Sequence, residues 1–327
     1  MSIIFITIII NVNLKMMISL GLISLTLSTF SLLFFNHFFI KRKIIDNINK
    51  RSSHYNTATR SGGIAIFSSI FIISSINYIM GETIFDYSIL VPLGLLSALG
   101  GYDDIYSLDF KLKFIFQIIA AKMIIDTGLL IDNFHGVLGI YELNRAFAQV
   151  FTIFIIVSII NAINFIDGID GLAISTFAIF IISFELFSST LTPYSKFSIM
   201  LLASILPLYY FNFRKTNKVF LGDSGSHFLG GVISIYSILI LSQNYIIKVE
   251  YDLHKIIFLF SILSYPIIDI TRIILVRLKN KKSPFEADKN HIHHLIQEKT
   301  NSHQFTTLII ISFILILILI FQINNLI

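Results

Sequence analysis

Long apolar runs separated by short polar clusters set the pattern of this chain. Ten runs stand out, at 16–40, 64–80, 88–101, 114–131, 150–164, 172–187, 198–211, 226–243, 256–275 and 306–323. Within each, Ile, Leu, Phe and Val follow one another without the alternation of apolar and polar positions that a membrane β-strand carries, so each predicts an α-helix. A straight crossing of the hydrocarbon core takes about 20 residues, and the shorter runs reach that length only if their helices extend into the polar segments beside them. The expected architecture is an all-α, polytopic membrane bundle of about ten transmembrane helices, built as a single integral-membrane domain over residues 1–327. Ile3 to Ile10 is a further apolar piece, too short to span and set off from the first long run by Asn11, Asn13 and Lys15. Residues 1–15 are therefore read as an N-terminal extension outside the fold, with Met16 or Met17 as an alternative start. The piece has neither the basic flank nor the small-residue cleavage site of a secretory signal.

Composition agrees. Hydrophobic residues make up 55% of the chain and charged ones 13%, with a mean hydropathy of +0.82. A soluble domain carries about 25% charged residues, so a water-soluble globular protein is excluded. The absence of Cys removes disulfides and thiolate metal sites. The placement of the charges is informative. If the loops between the ten runs are numbered in order, the odd loops hold 17 Lys and Arg and the even loops 4. The positive-inside rule then puts the odd loops in the cytoplasm and both termini outside. The external loop from Asp132 to Gln149 reads as a loop or short hairpin and carries no identifiable chemistry.

Every unusual polar cluster falls in an odd loop or at a helix end beside one. Loop 1 holds Lys50-Arg51-Ser52-Ser53-His54 and Arg60-Ser61-Gly62-Gly63, and loop 3 opens with Gly100-Gly101-Tyr102-Asp103-Asp104. Loop 5 is entered through Asn161, Asn164, Asp167 and Asp170. Loop 7 ends Phe220-Leu221-Gly222-Asp223-Ser224-Gly225-Ser226, and loop 9 carries Ser283-Pro284-Phe285, Asp288, His291, His293 and His294. One composite site at the cytoplasmic membrane surface is expected from this distribution.

Acids near bilayer depth are costly and mark function by default. Asp103 and Asp104 are neighbours, about 100° apart on a helix, so they cannot make the same contacts and one is expected to face the site. Asn161, Asn164, Asp167 and Asp170 recur every third residue at the end of an apolar run, which predicts a polar stripe on one helix, and their oxygens are the ligands that hard cations prefer. Asp223 lies among Gly and Ser before an apolar run, where close backbone approach and a helix start favour a phosphate. The loop 9 histidines fit phosphate recognition better than zinc: no Cys is present, no carboxylate ligand adjoins them in the usual zinc-site pattern, and Lys281, Lys282 and Lys289 are nearby. His291 and His294 are expected on one helical face.

With those residues in place, the chain resembles the polyprenyl-phosphate N-acetylhexosamine-1-phosphate transferases, the glycosyltransferase family 4 superfamily of WecA and MraY, from about Asp46 to His294. Asn-Ala-Ile-Asn-Phe-Ile-Asp-Gly-Ile-Asp-Gly-Leu-Ala at 161–173 is similar to the family's Asn-x-x-Asn-x-x-Asp-Gly segment. Ser283-Pro284-Phe285, Asp288 and His291-Ile292-His293-His294 resemble the WecA branch, since in the MraY branch the histidines are consecutive. The resemblance implies transfer of a sugar 1-phosphate, N-acetylglucosamine 1-phosphate by default, from a UDP-N-acetylhexosamine to undecaprenyl phosphate with release of UMP. It also implies a need for Mg²⁺, with Mn²⁺ as the alternative, and a multi-pass place in the bacterial inner membrane at the start of envelope polysaccharide synthesis.

Residue by residue, the resemblance assigns Asn164 and Asp223 to the Mg²⁺ and the Asp103–Asp104 pair to the neighbourhood of the lipid phosphate. Asp167 and Asp170 become nucleotide-site acids, Phe220 the ring that stacks on uracil, and His291 with His294 diphosphate contacts. Arg51, His54 and His293 join Phe220 as candidate binding residues. Two departures matter. The family often has prolines where this chain has Thr57 and Thr59. It also has a Pro-Ala pair before the stacking Phe where this chain reads Asn212-Phe213-Arg214-Lys215-Thr216-Asn217-Lys218. Expected partners are the UDP-sugar, the polyprenyl phosphate and membrane lipids, with a homodimer compatible with the composition and nucleic acid excluded.

Three other readings compete. An MraY-like phospho-sugar-pentapeptide transferase would share the chemistry. A secondary transporter would also place Asp, Asn and Gly inside a bundle, but at midplane and with an inverted repeat, neither of which the sequence shows. A CDP-alcohol phosphatidyltransferase would continue its Asp-Gly motif to Ala-Arg, whereas Asp167-Gly168 continues to Ile169-Asp170-Gly171.

Overall fold

The computed structural model describes residues 2–46, 58–189, 192–242, 245, 253–281 and 290–326. Each of the ten apolar runs carries a helix. In chain order the elements are α1 (Ser2–Lys41), β1 (Ala58–Thr59), α2 (Gly62–Ile79), α3 (Leu90–Tyr106), α4 (Phe110–Asp126), α5 (Arg145–Ile166), α6 (Leu172–Phe187) and α7 (Ser195–Asn212). They continue with β2 (Lys218–Val219), α8 (Gly222–Leu241), α9 (Leu253–Ile262), α10 (Ser264–Lys279), α11 (Ile292–Thr300) and α12 (His303–Leu326). Among the described residues, five helices are long and apolar enough to cross a membrane, and six spans result if α9 and α10 count as one. The helices α3, α4, α6 and α7 match the remaining runs and fill out an all-α polytopic membrane bundle.

Three details differ from the sequence pattern. First, α1 continues through Asn11, Asn13 and Lys15 without a break. Those side chains lower helix propensity by well under ~1 kcal/mol each, whereas only Gly or Pro would interrupt it at that point. Second, the ninth run is two helices bent by 73° at Leu263. Pro266 lies four residues after Ile262, the last residue of α9, and a proline ring clashes with the carbonyl four positions before it. Third, α5 stops at Ile166, so the polar stripe on one helix covers only Asn161 and Asn164. Asp167 caps that helix, and Asp170 lies beyond it in a turn closed by Gly171 at φ +73°. The segment from Asn133 to Glu142 forms the short hairpin, with Phe134 N–H donating to Tyr141 O at 2.8 Å.

The bundle is organised around α8, which packs most heavily against α3 and α5 and also against α2. Nearly every α8 side chain from Ser224 to Ile240 is buried, including Phe228, Leu229 and Val232. The outer helices keep apolar side chains outward: Phe30, Ile79, Phe154 and Leu319 are all exposed. In a bundle of this composition that outer surface faces lipid.

Candidate active site

The site forms where four helix ends meet beside α8. β1 pairs in parallel with β2, Ala58 opposite Lys218 and Thr59 opposite Val219, and the ladder continues as Phe220 N–H donates to Thr59 O at 2.8 Å. Gly62 and Gly63 N–H then donate to Phe220 O and Leu221 O at 3.1 and 2.8 Å, so α2 and α8 start side by side. The backbones touch at that point. A Cβ on Gly63 would lie 1.9 Å from the nitrogen of Gly225, and one on Gly100 of α3 would lie 2.1 Å from the carbonyl oxygen of Asp223.

The two neighbouring aspartates of α3 diverge, as the helical rotation requires. Asp104 accepts from the backbone N–H groups of Asp223 and Ser224, both at 3.1 Å, one on each carboxylate oxygen. It therefore caps the start of α8, whose own N-cap residue Leu221 has no side chain for the task. Arg60 stands 3.6 Å away and also pairs with Asp46 at 2.8 Å. Asp103 accepts from Leu108 N–H at 2.6 Å and makes a close ion pair with Lys113 of α4. Lys113 Nζ in turn lies 3.6 Å from Asp223.

Asp223 projects from the first turn of α8. Its Oδ1 accepts from Asn164 Nδ2 at 3.1 Å, and the same amide group donates to Ser226 Oγ at 2.8 Å. His227 Nδ1 lies 2.6 Å from the Asp223 carbonyl oxygen. Asp167 completes the group. Burial, followed by the charges of Asp223 and Asp104, pushes its carboxyl well above the ordinary carboxylate range. Asp103, Asp104, Asp167 and Asp223 thus crowd together with Lys113 and Arg60 as their positive partners. An oxygen-rich set with surplus negative charge, and an amide side chain on its critical carboxylate, is the donor chemistry that a hard divalent cation takes. Asn164 and Asp223 are the residues that could hold one. Asn161 has a different role: it exchanges hydrogen bonds with Gln117 at 2.8 and 3.4 Å and joins α5 to α4.

Asp170 sits apart from that group, on the other side of the turn after α5. It accepts from Lys218 Nζ of β2 at 2.5 Å and pairs with His303 Nδ1 at the start of α12 at 3.1 Å. Burial would raise its pKa, but His303 and Lys218 outweigh it and hold the carboxyl below the usual value. Lys218 Nζ also lies 5.1 Å from the centre of the Phe220 ring. Asp170 and Phe220 therefore share a cation, which ties loop 5 to loop 7.

The histidines lie against the other flank of the Asn164–Gly168 turn. His291 is not on the face of a helix with His294; it precedes α11, in an extended conformation at φ −60° and ψ 147°. A carboxylate does adjoin it, across space: Asp269 of α10 lies 2.6 Å from His291 Nδ1. His293 is fully buried, with Tyr265 OH at 2.9 Å from its Nδ1. Burial, with His294 beside it, pushes its pKa down to about 3, so the ring is neutral. The side chains of His293 and His294 come within 3.1 and 3.2 Å of where a Cβ on Gly168 would stand, and the His291 ring is 5.6 Å from that of Phe165. Asp269, His291 and His293 bring ligand-type atoms within 4.8 Å of one another. Because both oxygens of Asp269 are already engaged by His291 and by Ile292 N–H, this is a hydrogen-bonded cluster.

Arg51, His54, Ser283-Pro284-Phe285 and Asp288 lie outside the described residues. The remaining candidates, Asp103, Asp104, Asn164, Asp167, Asp170, Phe220, Asp223, His291, His293 and His294, are gathered around the end of α5 and the start of α8. Sequence reasoning missed Lys113, His303, Tyr265 and Asp269. Asp269 had a usable signal, as the single acid inside the ninth apolar run. Lys113 and His303 had none, since a lone Lys or His in a basic loop reads as surface charge.

Residues 87–241 match the family described as glycosyl transferase family 4. A Bacillus subtilis protein named as a probable undecaprenyl-phosphate N-acetylglucosaminyl 1-phosphate transferase is 35% identical, over 83% of this chain and 74% of its own. The undecaprenyl-phosphate alpha-N-acetylglucosaminyl 1-phosphate transferase of Haemophilus influenzae is 33% identical over 77% of this chain and 71% of its own. The decaprenyl-phosphate N-acetylglucosaminephosphotransferase of Mycobacterium tuberculosis is 28% identical over 80% and 70%.

Proposed function

Because the chain belongs to glycosyl transferase family 4, we propose that it transfers N-acetylglucosamine 1-phosphate from its UDP-linked donor to undecaprenyl phosphate, releasing UMP. The observation that carries this reading is the contact of Asn164 with Asp223 inside a ring of carboxylates. Bound by those two residues, Mg²⁺, or Mn²⁺ in its stead, would supply Lewis-acid neutralisation of the diphosphate charge.

The protein's own groups do the rest by position and charge, which dominate phosphoryl transfer. Lys113, set between Asp103 and Asp223, offers a cation to a phosphate oxygen. Asp103 restrains that ammonium group, and Asp104 keeps the first turn of α8 in place so that Asp223 is correctly aimed. Phe220 provides an aromatic surface for the uracil, and His291 with His294 faces the diphosphate from the far side of the Asn164–Gly168 turn. A phosphate monoester loses its second proton near pH 6, so most of the acceptor is already dianionic at neutral pH and a general base is not obligatory. The cluster lies at helix ends rather than at bilayer midplane, which favours a surface transferase over a transporter. The charge asymmetry of the loops supports a cytoplasmic position for this face, where nucleotide sugars are made.

UMP release from UDP-N-acetylglucosamine, measured in detergent with and without undecaprenyl phosphate and with chelator, tests the reading. Lipid-dependent, chelator-sensitive release is expected. Release that ignores the lipid, or none at all, would rule it out.

A further inference from the structure

Asp269 is the single acid of α10, and its side chain is 1% exposed. An acid taken that far out of water needs a use for both oxygens, and it has one for each. Oδ2 lies 2.6 Å from Nδ1 of His291, and Oδ1 accepts from the backbone N–H of Ile292 at 2.7 Å. The second bond caps α11 from outside, because His291, the residue at its N-cap position, makes no side-chain cap of its own. One carboxylate therefore fixes both the ring of His291 and the start of the helix that follows it. Asp269 is itself held on a helix whose direction is set by the 73° bend before it.

We infer that Asp269 is the positioning residue of the histidine cluster: it holds His291 by Nδ1 and leaves Nε2 as the one ring nitrogen that can meet the donor's diphosphate. This rests on the proposed activity and deepens it. The logic is that of a carboxylate behind a functional imidazole, in which the acid fixes tautomer and orientation while the far nitrogen does the work. With Nδ1–H donated to Asp269, Nε2 accepts a proton when the ring is neutral and donates to phosphate oxygen when the ring is charged. The surroundings limit the ring further. His291 stacks on His293 at 5.3 Å with an interplanar angle of 18°, and His293 is anchored at its Nδ1 by Tyr265 OH. A rotation that exposed Nδ1 instead would break the Asp269 contact and disturb that stack.

A double-mutant cycle in the full-length, detergent-purified protein tests this. Asp269→Asn keeps the shape and can still accept from Ile292, but it presents an N–H₂ group to the His291 N–H and so disfavours the required tautomer. About a tenfold to hundredfold loss of transfer is expected, the usual cost of removing an outer-shell partner. His291→Asn should lose at least as much. The double variant should transfer no less than His291→Asn alone, because Asn at 269 still accepts from Ile292 N–H and the substitution acts only through that ring. Thermal unfolding within a few degrees of wild type shows that the variants are folded. If Asp269→Asn does not fold, Asp269→Glu replaces it: it should impair the wild type and have no effect in the His291→Asn background. Multiplying losses, or wild-type transfer by the Asp269 variant beside an impaired His291→Asn, would overturn the inference and leave the proposed activity standing. Wild-type transfer by His291→Asn would overturn it through its premise, as would absence of any UMP release by the unmodified protein.

Discussion

Two adjacent aspartates with the same chemistry perform different tasks at this site, and the difference is set by 100° of helical rotation. Asp104 is committed to two backbone N–H groups of α8, while Asp103 meets Lys113 beside Asp223. Replacing Asp104 by Ala should cost about 1–2 kcal/mol of stability, the range for a lost helix cap, and lower turnover by loosening Asp223. Asp104→Asn, which keeps one acceptor, should lose less stability and leave the apparent affinity for the UDP-sugar nearly unchanged. Thermal unfolding and kinetics with separately varied donor and lipid measure both. Asp223→Asn keeps the shape but removes the charge on which a bound cation depends, so transfer should fall by orders of magnitude, a loss of several kcal/mol in barrier terms. Near wild-type turnover at millimolar Mg²⁺ would refute the assigned ligand pair. Phe220→Ala removes a stacking surface worth about 1–3 kcal/mol, which should appear mainly as a raised donor KM. At this scale the sequence was readable wherever an acid or amide stood in an apolar run beside glycine. It was silent on pairings across space: nothing in a linear pattern joins Asp269 to His291 or Lys113 to Asp103, because those contacts depend on how α10 and α4 are aimed.

The elements that hold the site are tied by backbone as much as by side chains. The close crossing of α2 and α8 requires glycine at 63, where even a methyl group would sit 1.9 Å from Gly225. Gly63→Ala should therefore separate two helix starts and abolish transfer, with a fall in thermal midpoint that no substitution on the lipid-facing side of α2 would produce. Loop 5 is tethered by Asp170 to Lys218 and His303, and the sign of its pH dependence follows from its pKa. The carboxyl ionises more readily in the folded protein than in the unfolded chain. Its contribution is therefore complete above the ordinary carboxylate value near 4 and is lost as pH falls through the lower, folded-state value. In unfolding experiments across that range, the stability gap between the wild type and Asp170→Asn should close as pH falls below about 4. A gap that persisted in strong acid would show that the tether is not ionic. The helix in each apolar run was legible from run length, whereas α11, in the polar loop 9, was not. Helix ends were not: α5 stops at Ile166 because the Gly168 and Gly171 turn follows, and the ninth run breaks because Pro266 clashes one turn back.

At the scale of the whole molecule, the charge distribution predicts which way the bundle sits. With 17 basic residues in the odd loops against 4 in the even ones, a cysteine introduced in place of Lys282 should resist membrane-impermeant labels applied from outside intact cells, while one in place of Asn133 should react. The opposite pattern would place the nucleotide site away from its substrate. The all-α bundle, its apolar exterior and the gathering of the odd-loop clusters all followed from hydropathy, whereas the central position of α8 did not, since its sequence is no more apolar than that of α1 or α12. The parallel pairing of β1 with β2 also bears on biosynthesis. Residues 58–59 have no strand partner until residues 218–219 have been made, and Gly62 and Gly63 likewise wait for the carbonyls of Phe220 and Leu221. The first seven helices must therefore be inserted with the mouth of the enzyme still open, and the ribosome has to deliver the eighth before the chain can acquire a reaction centre at all.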